Sequence, residues 1–183
     1  MPGIGLPYNP DHARRLLAEA GYGDEGAFPP VNLLLGPSHS RFKLLAYQAE
    51  RWHDLLGVEI ELDRLPWSDF LAKLQADPPA IHFMAWTADF PDPDNFLRAG
   101  SFRSYSGWRN EPYERLIEQA REMMDQVGRM ALYRQAEEIL VEESPIVPLS
   151  YGRFSMLIKP WVRRFPASPL KFWYWKDVVI EPH

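Results

Sequence analysis

Apolar side chains recur along this chain with two different periods, and the switches between them outline its elements. Ala13, Leu16, Leu17 and Ala20 fall at helical spacing behind Asn9-Pro10, and Gly21 ends the run. Asn there serves as a cap and Pro suits a first helical turn. Residues 31–35 form a short apolar strand. Phe42, Leu45, Ala49, Trp52 and Leu56 step by three and four, which predicts a helix over 39–56 stopped by Gly57. Val58, Ile60 and Leu62 alternate with Glu59, Glu61 and Asp63, the pattern of a strand with one wet face. Ser68 is placed to cap a helix that buries Phe70, Leu71 and Leu74. Residues 81–86 are almost wholly apolar and short, which predicts a strand buried on both faces. Strand, helix, strand, helix, strand is the order of a parallel sheet. Segments 31–35, 58–62 and 81–86 are expected to pair in parallel, covered by helices 39–56 and 66–76.

Two further helices are expected. One, over 112–124, buries Tyr113, Leu116, Ile117, Ala120 and Met123. The other, over 125–143, buries Leu132, Ala136, Ile139 and Leu140. Beyond them the pattern becomes strand-like at 146–151, 154–158 and 178–180, with Pro148 confining the first of these to a sheet edge. The fold class is therefore α/β: a mostly parallel sheet flanked by helices, with a β-rich C-terminal tail.

Charge sharpens that division. The first 144 residues carry 14 basic and 23 acidic side chains, net −9, whereas residues 145–183 carry 6 and 2, net +4. The same tail holds eight of the 25 aromatic residues. A basic, aromatic-rich tail on an acidic body predicts a docked segment or a second packing unit, so the chain divides into 1–144 and 145–183. The overall charge of −5 argues against a nucleic-acid binder held by phosphate contacts. The absence of Cys excludes disulfides, thiolate metal sites and Cys nucleophiles. No run approaches the roughly 18 apolar residues of a membrane span, and Met1 to Pro10 has neither the basic start nor the apolar stretch of a signal peptide. Proline, at 18 residues, is about twice its average usage and implies many fixed loops.

In open α/β sheets, ligands meet the loops beyond the carboxyl ends of the strands. The loop after the third strand, Thr87-Ala88-Asp89-Phe90-Pro91-Asp92-Pro93-Asp94-Asn95, carries three carboxylates directly behind Trp86. Asp92 and Asp94 read first as turn chemistry, with Asp94 as the cap of a short helix through Phe96 and Leu97. Asp89, nearest the strand end, reads either as a ligand contact or as one more turn residue. Trp86, Tyr105 and Trp108 flank the loop, as core packing or as an apolar wall for an organic ligand. His12, His39, His53, His82 and His183 form no metal-binding pair. There is no G-x-S-x-G elbow and no phosphate-binding P-loop. No cofactor and no metal are expected, and without a nucleophile–base pair an enzyme, such as a hydrolase using Asp89 and Asp92, is disfavoured.

Several stretches resemble the family 5 solute-binding proteins, the peptide, dipeptide and nickel receptors of bacterial ABC importers. Tyr8-Asn9-Pro10-Asp11-His12-Ala13-Arg14-Arg15-Leu16-Leu17-Ala18-Glu19-Ala20-Gly21-Tyr22 is similar to their Y-[DN]-P-x-x-A-[KR]-x-L-L-x-E-A-G-Y stretch. Leu56-Gly57-Val58-Glu59-Ile60 resembles L-G-[VI]-x-[VI]. Trp86 through Leu97 resembles W-x-x-D-[YF]-x-D-P-x-x-F, and Pro145-Ile146-Val147-Pro148-Leu149 and Lys159-Pro160-Trp161-Val162 resemble the closing elements. One departure is Asp77 to His82, which stands where peptide receptors often have G-x-[FY]-D.

The resemblance implies a periplasmic-binding-protein-like (type II) lobe: the second lobe of a two-lobed receptor, with a closing segment from 145 that returns to the N-terminal lobe. It implies an extracytoplasmic setting, periplasmic or lipid-anchored, and a role in importing a peptide or similar solute through an ABC permease. By the same resemblance Asp89 receives the ligand's amino group and Trp86 lines its pocket. The expected ligand-binding set is thus Trp86, Thr87, Ala88, Asp89, Tyr105 and Trp108. Without its first lobe, the tail is expected to fold back on the acidic body or to pair with another copy. A lobe repurposed for sensing or interaction within a larger protein is the alternative.

Overall fold

The computed structural model describes residues 4–23, 28–100, 102–152, 155–166, 168 and 174–183. In chain order the elements are α1 (Pro10–Glu19), β1 (Val31–Leu35), α2 (His39–Leu56), β2 (Ile60–Arg64), α3 (Trp67–Ala76), β3 (Ile81–Phe83), α4 (Pro93–Leu97), α5 (Phe102–Tyr105), α6 (Glu111–Glu122), α7 (Gln126–Glu143), β4 (Val162–Arg163) and β5 (Val179–Ile180). They divide into two compact units: Met1–Trp86 with Ser101–Asn110, and Thr87–Gly100 with Glu111–His183.

The first unit is built on a three-stranded parallel sheet in the order β2-β1-β3. Val31 pairs with Ile60 and Leu35 with Arg64 on one side; on the other, Leu33 pairs with Ile81 and Leu35 with Phe83. The central strand is apolar on both faces because helices cover both. Leu33 and Leu35 pack with Leu45 of α2, ringed by Phe42, Ile60, Leu62, Ile81 and Phe83. Leu34 points the other way, to Phe70 and Leu74 of α3, with Leu65, Leu71, Met84 and Tyr105 around them. The parallel sheet and its two covering helices match the periodicity.

Several boundaries moved. β3 ends at Phe83 rather than continuing to Trp86. Its partner β1 stops at Leu35, and Gly36-Pro37 behind it extends no further ladder. β2 begins at Ile60, although the Glu59 carbonyl already accepts the Val31 N–H at 2.9 Å. Pro66, not Ser68, precedes α3; the Ser68 hydroxyl lies inside the first turn and donates to Asp69. At α1, Asn9 does cap: its Oδ1 accepts the His12 N–H at 3.0 Å. At the end of α2, Gly57 takes φ +68°.

In the second unit α6 packs on α7, burying Tyr113, Ile117 and Ala120 on one helix and Tyr133, Ala136 and Leu140 on the other. Leu116, Met123, Leu132 and Ile139 are only half-buried. Asp125 caps α7 by accepting the Gly128 N–H at 2.8 Å. In the tail, residues 146–151 and the described part of 154–158 are not strands; Phe154 lies outside the described residues. A strand needs a partner ladder, and among the described residues none lies alongside, while Pro145 and Pro148 also lack the N–H to donate. Among the described residues the tail's one ladder is β4 against β5, antiparallel, with Val162 opposite Ile180. Arg163 pairs with Glu181 at 2.8 Å and Trp161 stacks on His183 at 4.3 Å.

Candidate ligand-binding site

The chain leaves the sheet at Phe83 and runs through the acidic loop into α4. The six expected site residues fall in both units. Trp86, Tyr105 and Trp108 belong to the first; Thr87, Ala88 and Asp89 belong to the second.

In the first unit, Tyr105 is a core residue. It packs in the Leu34 cluster and meets the His82 ring edge-on at 6.1 Å. Burial lowers the His82 pKa below its ordinary value. Trp108 is half-buried, its ring 6.4 Å from that of Phe102 and its backbone N–H donating to the Ser106 hydroxyl at 3.2 Å. Trp86 is 39% exposed, a large aromatic face left on the surface. Two open cavities of about 430 and 400 Å³ also belong to this unit. The first includes Asp63, Lys73 and Asp77; the second is walled by Leu17, Trp52, Leu56 and Ile60. Neither is lined by a residue of the acidic loop.

In the second unit the three carboxylates have different fates. Asp92 is the cap of α4, in the place expected of Asp94: its Oδ1 accepts the Asp94 N–H at 2.9 Å. It is also clamped by Arg129 of α7 through two bonds of 2.7 and 2.8 Å. Arg129 is itself fixed by the Tyr133 hydroxyl at 3.0 Å and the Ala120 carbonyl at 3.2 Å. Burial opposes the charged Asp92 carboxylate. The Arg129 bonds, the Asp94 N–H and the guanidinium charge outweigh it and hold the Asp92 pKa below the ordinary value. Asp94, 6% exposed, is gripped by Arg98 one turn on, with Nε near both oxygens at 2.9 Å and a terminal nitrogen at 2.6 Å.

Asp89 is exposed. Its contacts are with Asn95, a residue with no exposed surface: the Asp89 N–H donates to Asn95 Oδ1 at 3.3 Å, and Asn95 Nδ2 faces Asp89 Oδ2 at 3.5 Å. Among the described residues no arginine or lysine pairs with Asp89. Thr87 is exposed and Ala88 half-buried.

Asp92 is unsuited to act as a general acid in this arrangement. A general acid must hold a proton near neutral pH, and Asp92 is locked as the anion of an ion pair. No group of three His, Asp or Glu side chains among the described residues is arranged to hold a metal. The residues that organise the loop, Asn95, Arg98, Arg129 and Tyr133, were not singled out by the sequence. Arg98 lies four residues after Asp94, a spacing that signals a helical ion pair. Arg129 is 37 residues from Asp92 and carries no local signal.

The family model described as "Bacterial extracellular solute-binding proteins, family 5 Middle" matches residues 2–108. The Escherichia coli protein named probable deoxycholate-binding periplasmic protein YgiS is 29% identical over 176 residues, which cover 93% of this chain and 32% of that protein. Periplasmic oligopeptide-binding protein OppA of the same organism is 29% identical over 177 residues, covering 94% and 32%. The solved structure of the Escherichia coli murein tripeptide binding protein MppA superposes with a TM-score of 0.85 at 26% identity, covering 99% of this chain and 38% of that one. The chain thus spans about a third of the length of the relatives it matches.

Proposed function

The chain belongs to the bacterial extracellular solute-binding proteins of family 5, and we propose that it forms the second lobe of an extracytoplasmic receptor, periplasmic or lipid-anchored, that captures a short peptide for ABC-type import. Residues 1–144 form the lobe, and 145–183 are the segment that returns to an N-terminal lobe. The further partner is a membrane permease. Its work is binding, without catalysis. Relatives named as oligopeptide- and dipeptide-binding support a peptide as the solute.

The observation that carries this reading is the contrast within the acidic loop. Asp92 and Asp94 are neutralised by arginines, while Asp89 is left exposed and, among the described residues, without an arginine or lysine beside it. Asp89 is the carboxylate that meets the ligand's ammonium; Thr87 and Ala88 precede it in the chain, and Trp86, Tyr105 and Trp108 complete the set that the family resemblance implies. On one lobe that pair stays wet and contributes only about 0–1 kcal/mol, so the isolated chain binds peptides with roughly millimolar constants or weaker. Between two lobes, a charge-assisted contact is worth about 1.5–3 kcal/mol. In a two-lobed receptor carrying this lobe, Asp89→Asn is expected to weaken free-amine peptides roughly 10- to 100-fold. N-acetylation of the ligand then adds little, because both changes break one contact. Calorimetry on the four combinations tests it; losses that simply add would overturn the assignment of Asp89.

A further inference from the structure

Asn95 is wholly buried, and both ends of its amide face Asp89. One end meets an N–H donor and the other a carboxylate acceptor. Only one orientation of the amide satisfies both, since the flipped amide sets oxygen against carboxylate and NH₂ against N–H. Asn95 is in turn held by α4. That helix is capped by Asp92, Asp92 is clamped by Arg129, and Arg129 is braced on Tyr133 and the Ala120 carbonyl of the α6/α7 pair. A set of hydrogen bonds therefore runs from the α6/α7 pair to an exposed carboxylate, its last link the long 3.5 Å contact from Asn95 Nδ2.

We propose that Asn95 is a positioning residue for amine recognition: it holds the Asp89 backbone and carboxylate in one orientation, and this preorganisation produces the preference for a ligand with a free amino group. The inference rests on the reading of Asp89 as the ammonium acceptor. An exposed aspartate samples several rotamers, and ordering it on binding subtracts from the affinity of the ion pair. A carboxylate already tethered from behind loses less, and the ligand's ammonium approaches its outer face.

The test uses the ¹⁵N-labelled chain with trialanine and N-acetyl-trialanine, titrated by NMR at neutral pH. The unsubstituted chain is expected to favour the free amine by roughly three- to fivefold, the upper part of the range of an exposed ion pair. Asn95→Ala and Asn95→Leu should bring that ratio to about one without changing the constant for the acetylated peptide; a purely structural role would weaken both ligands alike. Exchange of the Asp89 N–H should quicken about tenfold or more, as its acceptor is gone. The Arg98 N–H, bonded to the Asp94 carbonyl at 2.9 Å, should keep its protection and report that α4 stays folded. If either variant with a protected Arg98 N–H keeps the original preference, the proposal falls. Loss of that protection in both variants would make Asn95 a folding residue and overturn it too. Asp89→Asn separates the two ideas. If it removes the preference while the Asn95 variants keep it, only this inference fails; if it leaves the preference intact, or the unsubstituted chain has none, the reading of Asp89 fails with it.

Discussion

Arg129 contributes more to the second unit than its single charge suggests. It bonds both oxygens of Asp92, the Tyr133 hydroxyl and a helix-end carbonyl, and its guanidinium lies 5.0 Å from the Tyr133 ring centre. Arg129→Met strands a partly buried carboxylate and is expected to cost about 2 kcal/mol in urea denaturation. Asp92→Asn should cost less, because an asparagine still accepts the Asp94 N–H. Among the described residues, Asp92 and His82 make stability depend on pH on the acid side, in different windows. The folded Asp92 carboxyl titrates below its unfolded value. Its contribution is full above about pH 4 and is lost as pH falls through the folded value. His82 is also depressed, but its charged form is the protonated one. The unfolded chain therefore takes up the proton first, and stability falls as pH drops below about 6.5. Urea midpoints at neutral, mildly acidic and strongly acidic pH should show both losses. His82→Gln should flatten the upper one and Arg129→Met the lower.

Each element of the sheet unit depends on a small number of positions. Leu34 is 1% exposed and is the β1 residue facing α3. Leu34→Ala opens a cavity against Phe70 and Leu74 and is expected to cost about 3 kcal/mol by the same measurement. Gly57 ends α2 at φ +68°, and a Cβ there would meet nothing within 4 Å. Gly57→Ala is therefore a backbone effect alone, about 1 kcal/mol. The helices were legible because their signals are local: the run from Phe42 to Leu56 and the stop at Gly57 mark α2 at both ends. Strand ends were less so. Nothing in Met84-Ala85-Trp86 differs from a strand, and β3 ends at Phe83 because its neighbour ends at Leu35. The apolar segment 146–151 shows the same limit, since apolar alternation supplies only half of a strand and the pairing partner supplies the rest.

Beyond its elements, the chain combines an acidic body with a basic tail whose large side chains, among the described residues, are mostly uncovered. Tyr151 and Leu157 are fully exposed, and Val147, Tyr174, Trp175 and Ile180 are more than half exposed. Apolar surface of this kind drives association. Size-exclusion chromatography with light scattering on residues 1–183 should show concentration-dependent self-association, lost in a chain ending at Ser144. A monomer unchanged by that deletion would count against the tail as the sticky surface. Hydrophobic period, capping residues and order of elements along the chain were enough for the parallel sheet, its covering helices and the acidic loop behind its last strand, because each depends on neighbours a few residues away. Which carboxylate in that loop is left without an arginine or lysine among the described residues was settled elsewhere. Asp89, Asp92 and Asp94 are alike in sequence, and they differ because α7 brings Arg129 across 37 residues to Asp92 while α4 turns Arg98 onto Asp94 and Asn95 onto Asp89. The Asp94–Arg98 spacing is a local signal, but pairing across 37 residues is a property of packed helices, and no local pattern encodes it.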